Sequence, residues 1–305
     1  MLSYVVRRLL VAIPTLFIII TIAFFMMRVA PGGPFDGERA LPPAVEANIA
    51  ARYNLDRPLV VQYGLYLGNV LRGDFGPSLR ARDFTVTELI AQGFPVSLQL
   101  GGIALLLAAV VGMTLGATAA LKQNSAYDYG VMATAMSGIA IPNFVMAPLL
   151  TLVFGIYLSW LPVGGWRGVD SMILPIIALA LPQVAYVARL TRGSMIETLR
   201  ANFIRTARAK GLPEHVTIVR HALKGGLLPV VSYLGPAAAG LITGSVVIEQ
   251  IFGIPGIGRY FVQGALNRDY PLVMATVIFY GALIIILNLV VDVLYGLLDP
   301  KVRYQ

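Results

Sequence analysis

Six stretches of this 305-residue chain lack Asp, Glu, Lys and Arg over 18 or more positions, and they constrain the fold more than any motif does. They run from 9 to 27, 89 to 121, 129 to 166, 171 to 188, 225 to 248 and 270 to 291. Each can hold one helix of the ~20 residues needed to cross ~30 Å of hydrocarbon. Together they make up 154 residues, half the chain, whereas the next longest run, 58–71, has 14 and is too short to span. Backbone amides in lipid must bond within their own segment, so six such runs predict an all-α polytopic membrane protein with six transmembrane helices. A barrel would need short alternating segments, and none is present.

The net charge of +8 raises a nucleic-acid partner as a possibility, which the location of the charge removes. With the N-terminus inside, the inner segments hold 13 basic residues against 4 acids, and the outer segments hold 10 of each. That asymmetry is the positive-inside rule, and it predicts both termini in the cytoplasm of a multi-pass inner membrane protein. No cysteine is present, so disulfide frameworks and thiolate metal sites are excluded, and His215 and His221 alone cannot make a zinc cluster. The first apolar run follows Arg7 and Arg8 but exceeds a usual signal-peptide core and lacks a small-residue cleavage site. It reads as an uncleaved first span.

Pro31, Gly32, Gly33 and Pro34 end that span, and a polar stretch follows to about residue 94. Residues 43–53 and 59–71 predict short amphipathic helices there, in a small extracytoplasmic subdomain that leans on the bundle or a partner. The expected organisation is 1–94 for the first helix plus this subdomain, then 95–305 for a five-helix domain. The second span is expected from Pro95, and the third from Tyr129 to about Leu158 with kinks permitted at Pro142 and Pro148. Trp160 and Trp166 suit a membrane interface. Gly235, Pro236, Gly240 and Gly244 give the fifth span a small-residue face on which a neighbouring helix is expected.

Between spans four and five, residues 190–226 predict a soluble hairpin. Gly193 to Lys210 is free of proline and reads as one helix, with Met195, Leu199, Phe203 and Thr206 on one face. Gly211 suits a left-handed C-cap, and Pro213 suits the start of a second helix through Leu223. The four lysines are followed by Gln123, Gly211, Gly225 and Val302, so the Gly-Lys-Ser/Thr end of a phosphate-binding loop is missing and ATP hydrolysis is not expected of this chain. No Gly-x-Ser-x-Gly elbow occurs, and the histidines lie away from any acid that could orient them, so no catalytic residue is assigned.

Arg205-Thr206-Ala207-Arg208-Ala209-Lys210-Gly211 resembles the loop by which type I ABC importer permeases engage their ATPases. Gly211 and Ala207 match that pattern, and Arg205 and Thr206 replace its Glu and first Ala, as in the peptide and nickel branch. Arg7-Arg8 leading into Pro14-Thr15, Pro31 to Pro34, Gly37-Glu38-Arg39, Phe94 to Ser97, Ala119 to Asn124 and Ala188 to Met195 are similar to the oligopeptide and dipeptide permeases. So are Val247 to Glu249 with Ile254 to Gly258, Asn267 to Tyr270, Asp292 to Tyr295 and Asp299-Pro300.

The resemblance covers nearly the whole chain in order. It implies a type I ABC importer permease fold, a second homologous permease subunit, two cytoplasmic ATPases and an extracytoplasmic binding protein that delivers peptide. No cofactor is implied for this chain, because ATP would be used by the partner subunits. Small side chains at Ala207, Ala209 and Gly211 would let a short helix seat in a partner's cleft, with arginines pairing acids there.

Glu249, Pro255, Gly256, Gly258, Arg268 and Asp269 are candidates for the translocation pathway or for contact with the binding protein. Glu249 is expected to pair with Arg259 or Arg268 more readily than to line a route, although intramembrane acids are functional candidates by default. Asp292 is expected at the inner boundary as a structural partner of hairpin arginines. Residues 253–258 predict an irregular turn facing the binding protein. A same-fold permease for dipeptide, glycopeptide or nickel is the nearer alternative. An ion-coupled secondary transporter would need ionisable residues at mid-membrane, where only Asp292 comes close.

Overall fold

The computed structural model describes residues 2–29, 56–81 and 83–298. The predicted helix at 43–53, the motifs at 31–34 and 37–39, Asp299-Pro300 and the side chains of Asp292 and Tyr295 lie outside the described residues. Twelve helices are numbered here among those that remain. They are α1 (Leu2–Val29), α2 (Leu59–Leu71), α3 (Val86–Leu121), α4 (Ala126–Ala140), α5 (Asn143–Leu150), α6 (Val169–Leu199) and α7 (Asn202–Ala209). Then come α8 (Glu214–Gly226), α9 (Leu228–Gly244), α10 (Val246–Phe252), α11 (Ile257–Leu266) and α12 (Tyr270–Leu298). α1, α3, α6 and α12 are each long and apolar enough to cross a membrane, and two bent pairs bring the spans to six.

Boundaries follow local chemistry that periodicity alone does not give. α3 begins nine residues before Pro95, because Thr85 and Glu88 form a reciprocal capping box and Pro95 is accommodated inside the helix. The third span is broken, not merely kinked. Ile141 and Pro142 are both extended, and α4 meets α5 and its π-helical continuation (Thr151–Tyr157) at 103°. The proline lacks an N–H and forces its predecessor out of the helical region. Pro148, inside α5, causes no break.

The largest helix pair is α3 with α6. Gly112 and Gly116 lie one turn apart on α3, where a Cβ on Gly112 would sit 2.7 Å from Val187 and one on Gly116 would overlap the Ala188 carbonyl oxygen. Such small-xxx-small spacing lets backbones touch where lipid offers no hydrophobic drive for association. On α9, Gly235 is buried, whereas a Cβ on Gly240 would meet nothing within 4 Å. Close packing needs two flat faces, and Val184, Val187, Ala188 and Thr191 supply the second one to α3.

A buried cluster of Leu100, Ala104, Leu174, Ala178, Leu241 and Phe252 joins α3, α6, α9 and α10. α2 leans on α1, where the Phe24 ring packs against Tyr63 and Tyr66 and the Thr21 and Tyr63 hydroxyls hydrogen-bond at 2.7 Å. This is the described part of the subdomain expected to rest on the bundle. Trp160 is exposed, while Trp166 packs against the central cluster.

Candidate functional site

The hairpin lies at the end of the bundle where α3 runs into the α3–α4 loop. Its first helix is not continuous from Gly193. α6 carries on from the membrane to Leu199, Ala201 is extended, and α7 starts afresh at Asn202. This break rotates the helical phase, so Met195 is buried while Phe203 and Thr206 are exposed. The inward face is instead Ile204 and Ala207. Ile204 packs with Met195, Ala120 and Ala222, which ties the hairpin to the ends of α3 and α6. A Cβ on Gly226 would come 2.5 Å from the Met195 sulfur, so the second arm approaches α6 closely. The Arg200 guanidinium donates to Gln123 Oε1 at 3.1 Å.

Gly211 has φ +76°, the left-handed conformation expected of it, and ends the first arm. Pro213 stands just before the second arm, whose middle turn (Thr217–Ala222) is π-helical. The Arg208 guanidinium donates to both Glu214 oxygens, at 3.1 and 2.6 Å, and this pairing raises the Arg208 pKa further above its ordinary value. Arg205, Thr206, Arg208, Ala209, Lys210 and Gly211 are all exposed at the hairpin tip. Ala207 departs from expectation. It is buried beneath the tip, on the same inward face of α7 as Ile204. Phe203, Leu212 and Val219 are exposed apolar residues beside this basic tip. Their spacing carries no signal for it, because both arms look amphipathic from sequence.

The second group of candidates surrounds the α10–α11 turn. Glu249 is fully buried. Its Oε1 accepts from the hydroxyls of Ser97 at 2.7 Å and Ser245 at 2.6 Å, and its Oε2 accepts from the Arg259 backbone N–H at 3.2 Å. Ser97 in turn accepts from the Ile257 N–H at 2.9 Å. The expected guanidinium partner is therefore replaced by backbone and hydroxyl donors, because the turn aims its amides inward. The Arg259 guanidinium donates to the Gly253 carbonyl instead, at 3.2 Å. Gly253 has φ +65°, and a Cβ on Gly256 would overlap the Glu249 carboxylate. Gly258 is equally constrained, with a Cβ 2.8 Å from Val246 Cγ2.

Asp269 is buried as well. It accepts from the Ser78 hydroxyl and from the Leu79 and Arg80 N–H groups at 3.2 and 3.4 Å, pinning the loop before α3 to the start of α12. Arg268 adopts φ +56° beside it. Of these six candidates Pro255 and Arg268 are exposed, while Glu249, Gly256, Gly258 and Asp269 are enclosed by their own chain. The arrangement makes a rigid turn held by a buried carboxylate, not an open row of ligands.

Up to six apolar spans, with a basic hairpin between the fourth and fifth, define a polytopic helical membrane protein. The chain belongs to the family described as binding-protein-dependent transport system inner membrane component, whose model matches residues 112–304, and the N-terminal component of that system matches residues 1–94. It is 60% identical over 306 residues to the oligopeptide transport system permease protein OppB of Salmonella typhimurium, covering 100% of both chains. It is 56% identical to the protein of that name in Haemophilus influenzae, again across both full lengths. The dipeptide transport system permease protein DppB of Bacillus subtilis is 45% identical over 99% of this chain and 98% of its own. A chain in the crystal structure of an amino acid ABC transporter with histidines shares the fold at a TM-score of 0.52 and 16% identity, covering 70% of this chain and 94% of that one.

Proposed function

We propose that this chain is one of two homologous, non-identical permease subunits that form the inner-membrane path of an ATP-driven importer of oligopeptides. Peptide reaches the outer face on a binding protein, and two cytoplasmic ATPases dock on the hairpin. Both termini and the hairpin are cytoplasmic in this reading, in line with the excess of basic residues on that side.

The observation that carries it is the hairpin tip. Arg205, Thr206, Arg208, Lys210 and Gly211 stand exposed on an arm whose other face is fixed to α3 and α6. A rigid arm rooted in two spans converts movement of a docked partner into movement of the spans, which a lipid-facing amphipathic helix would not do. The oligopeptide substrate is supported by 56–60% identity to permeases of that name, against 45% for a dipeptide permease.

Reconstitution tests the reading. Vesicles containing this chain, the second permease and both ATPases, with binding protein outside, are expected to accumulate a labelled tetrapeptide only with ATP. Uptake of dipeptide or nickel alone would move the chain to a sister branch. Uptake driven by an ion gradient without ATPases would reject the assignment.

A further inference from the structure

A groove of about 480 Å³, mostly apolar in its lining but carrying several polar side chains, opens between α6 and α9. Tyr186, Arg189, Gly193 and Glu197 line it from α6, with Pro229 and Tyr233 opposite on α9. These four α6 positions recur at spacings of three and four and are exposed, whereas Val187, Ala188 and Met195 between them are buried. The groove is therefore lined by an exposed face of α6 rather than by its packed one.

Its polar groups are ordered. The Tyr233 hydroxyl donates to Gln183 Oε1 at 2.5 Å, and the Tyr186 and Tyr233 rings lie 6.0 Å apart. The Arg189 guanidinium sits 5.4 Å over the Tyr186 ring. Arg189 follows directly on the uncharged run 171–188, at the inner edge of the hydrocarbon. Among the described residues neither Arg189 nor Glu197 has an ion-pair partner. They lie eight residues apart on one helix face, about 12 Å along the axis at ~1.5 Å per residue.

We propose that this groove is a subsite for peptide in transit, with Arg189 receiving the C-terminal carboxylate and Glu197 the N-terminal ammonium. The inference rests on the oligopeptide-importer reading above. An extended peptide advances ~3.3 Å per residue, so termini about 12 Å apart belong to a peptide of about four residues, and longer ones engage one end at a time. The charges and backbone are common to every peptide, and the tyrosine faces accept side chains without selecting among them. That chemistry suits a conduit for varied sequences.

The test uses the whole complex in vesicles with binding protein in excess, comparing a tetrapeptide with a free C-terminus against its C-terminal amide. For R189Q the acid-to-amide uptake ratio is expected to fall about tenfold from wild type, which corresponds to about 1.4 kcal/mol of charge-assisted hydrogen bonding. R189K should retain most of the preference, and E197Q should lower the ratio of free-amine to N-acetyl peptide. An unchanged ratio in assembled R189Q complex would overturn the proposal. So would a change that vanishes when anionic lipid is omitted, since that assigns Arg189 to a lipid phosphate. If R189Q does not assemble, a tetrapeptide with a photoreactive C-terminal residue is used on wild type during turnover. Labelling within 186–197 is expected, and labelling elsewhere alone would overturn the proposal. Wild-type complex that imports no peptide would instead refute the importer reading itself.

Discussion

Replacing Glu249 by Gln tests whether the α10–α11 turn is held by a buried carboxylate. The side chain keeps its shape, but one oxygen becomes an amide NH2. Placed at the Oε2 position, that NH2 faces the Arg259 N–H, donor against donor. Placed at Oε1, it faces the Ser97 and Ser245 hydroxyls, and Ser97 already accepts from the Ile257 N–H. Either orientation leaves a buried donor without a proper acceptor and removes the charge from the other bonds. Hydrogen bonds to a charged group contribute about 1.5–3 kcal/mol each, and an orphaned buried donor costs about 1–3 kcal/mol, so a net loss of about 2–4 kcal/mol is expected. For a chain of this size that lowers the melting temperature by roughly 3–6 °C. Thermal melting of the detergent-purified complex measures it, and trypsin cleavage after Arg259 should accelerate as the turn loosens. If E249Q melts within a degree of wild type and keeps its protection, the account of the turn is wrong.

Gly116→Val places a side chain against the Ala188 carbonyl and should force α3 from α6 at a cost of about 1–3 kcal/mol; an unchanged melting curve would contradict that packing. At Gly211, where a Cβ meets open space but φ is +76°, Asn should be tolerated, because it adopts that conformation more readily than other side chains. A bulky Trp there should leave membrane insertion intact and abolish uptake, and full transport by G211W would remove the docking role. On this cysteine-free background, a cysteine at Lys210 should react with an impermeant maleimide only in inverted vesicles, and one at Trp160 only in intact cells. The opposite pattern would invert the topology.

The spans were legible because lipid leaves a chain little choice: uncharged runs near twenty residues have to be helices. What escaped was set by particular local bonds. Pro95 looked like the start of a span only because the Thr85–Glu88 box ahead of it gives no hydrophobic signal. Pro142 was visible as a possible kink, but the 103° turn depends on where α5 can pack. The break at Arg200-Ala201 has neither glycine nor proline, so one long helix was the natural reading, and it put Phe203 and Thr206 on the wrong face. Gly211 could be read because a left-handed cap has a residue preference. The Glu249 site could not, since Ser97 is 152 positions away and the other donors are backbone groups. The α3–α6 seam was hidden for a related reason: glycines advertise that a close approach is possible without saying which neighbour makes it.

The central claim is that a separate motor grips this chain at the hairpin tip. A single cysteine at Arg205, introduced into the assembled complex in native membranes, measures that contact through a short thiol–amine crosslinker and mass identification of the product. The account predicts one dominant adduct with an ATPase subunit, changing in yield when nucleotide is added. Adducts only with lipid or with the second permease, in a complex that still imports peptide, would contradict it.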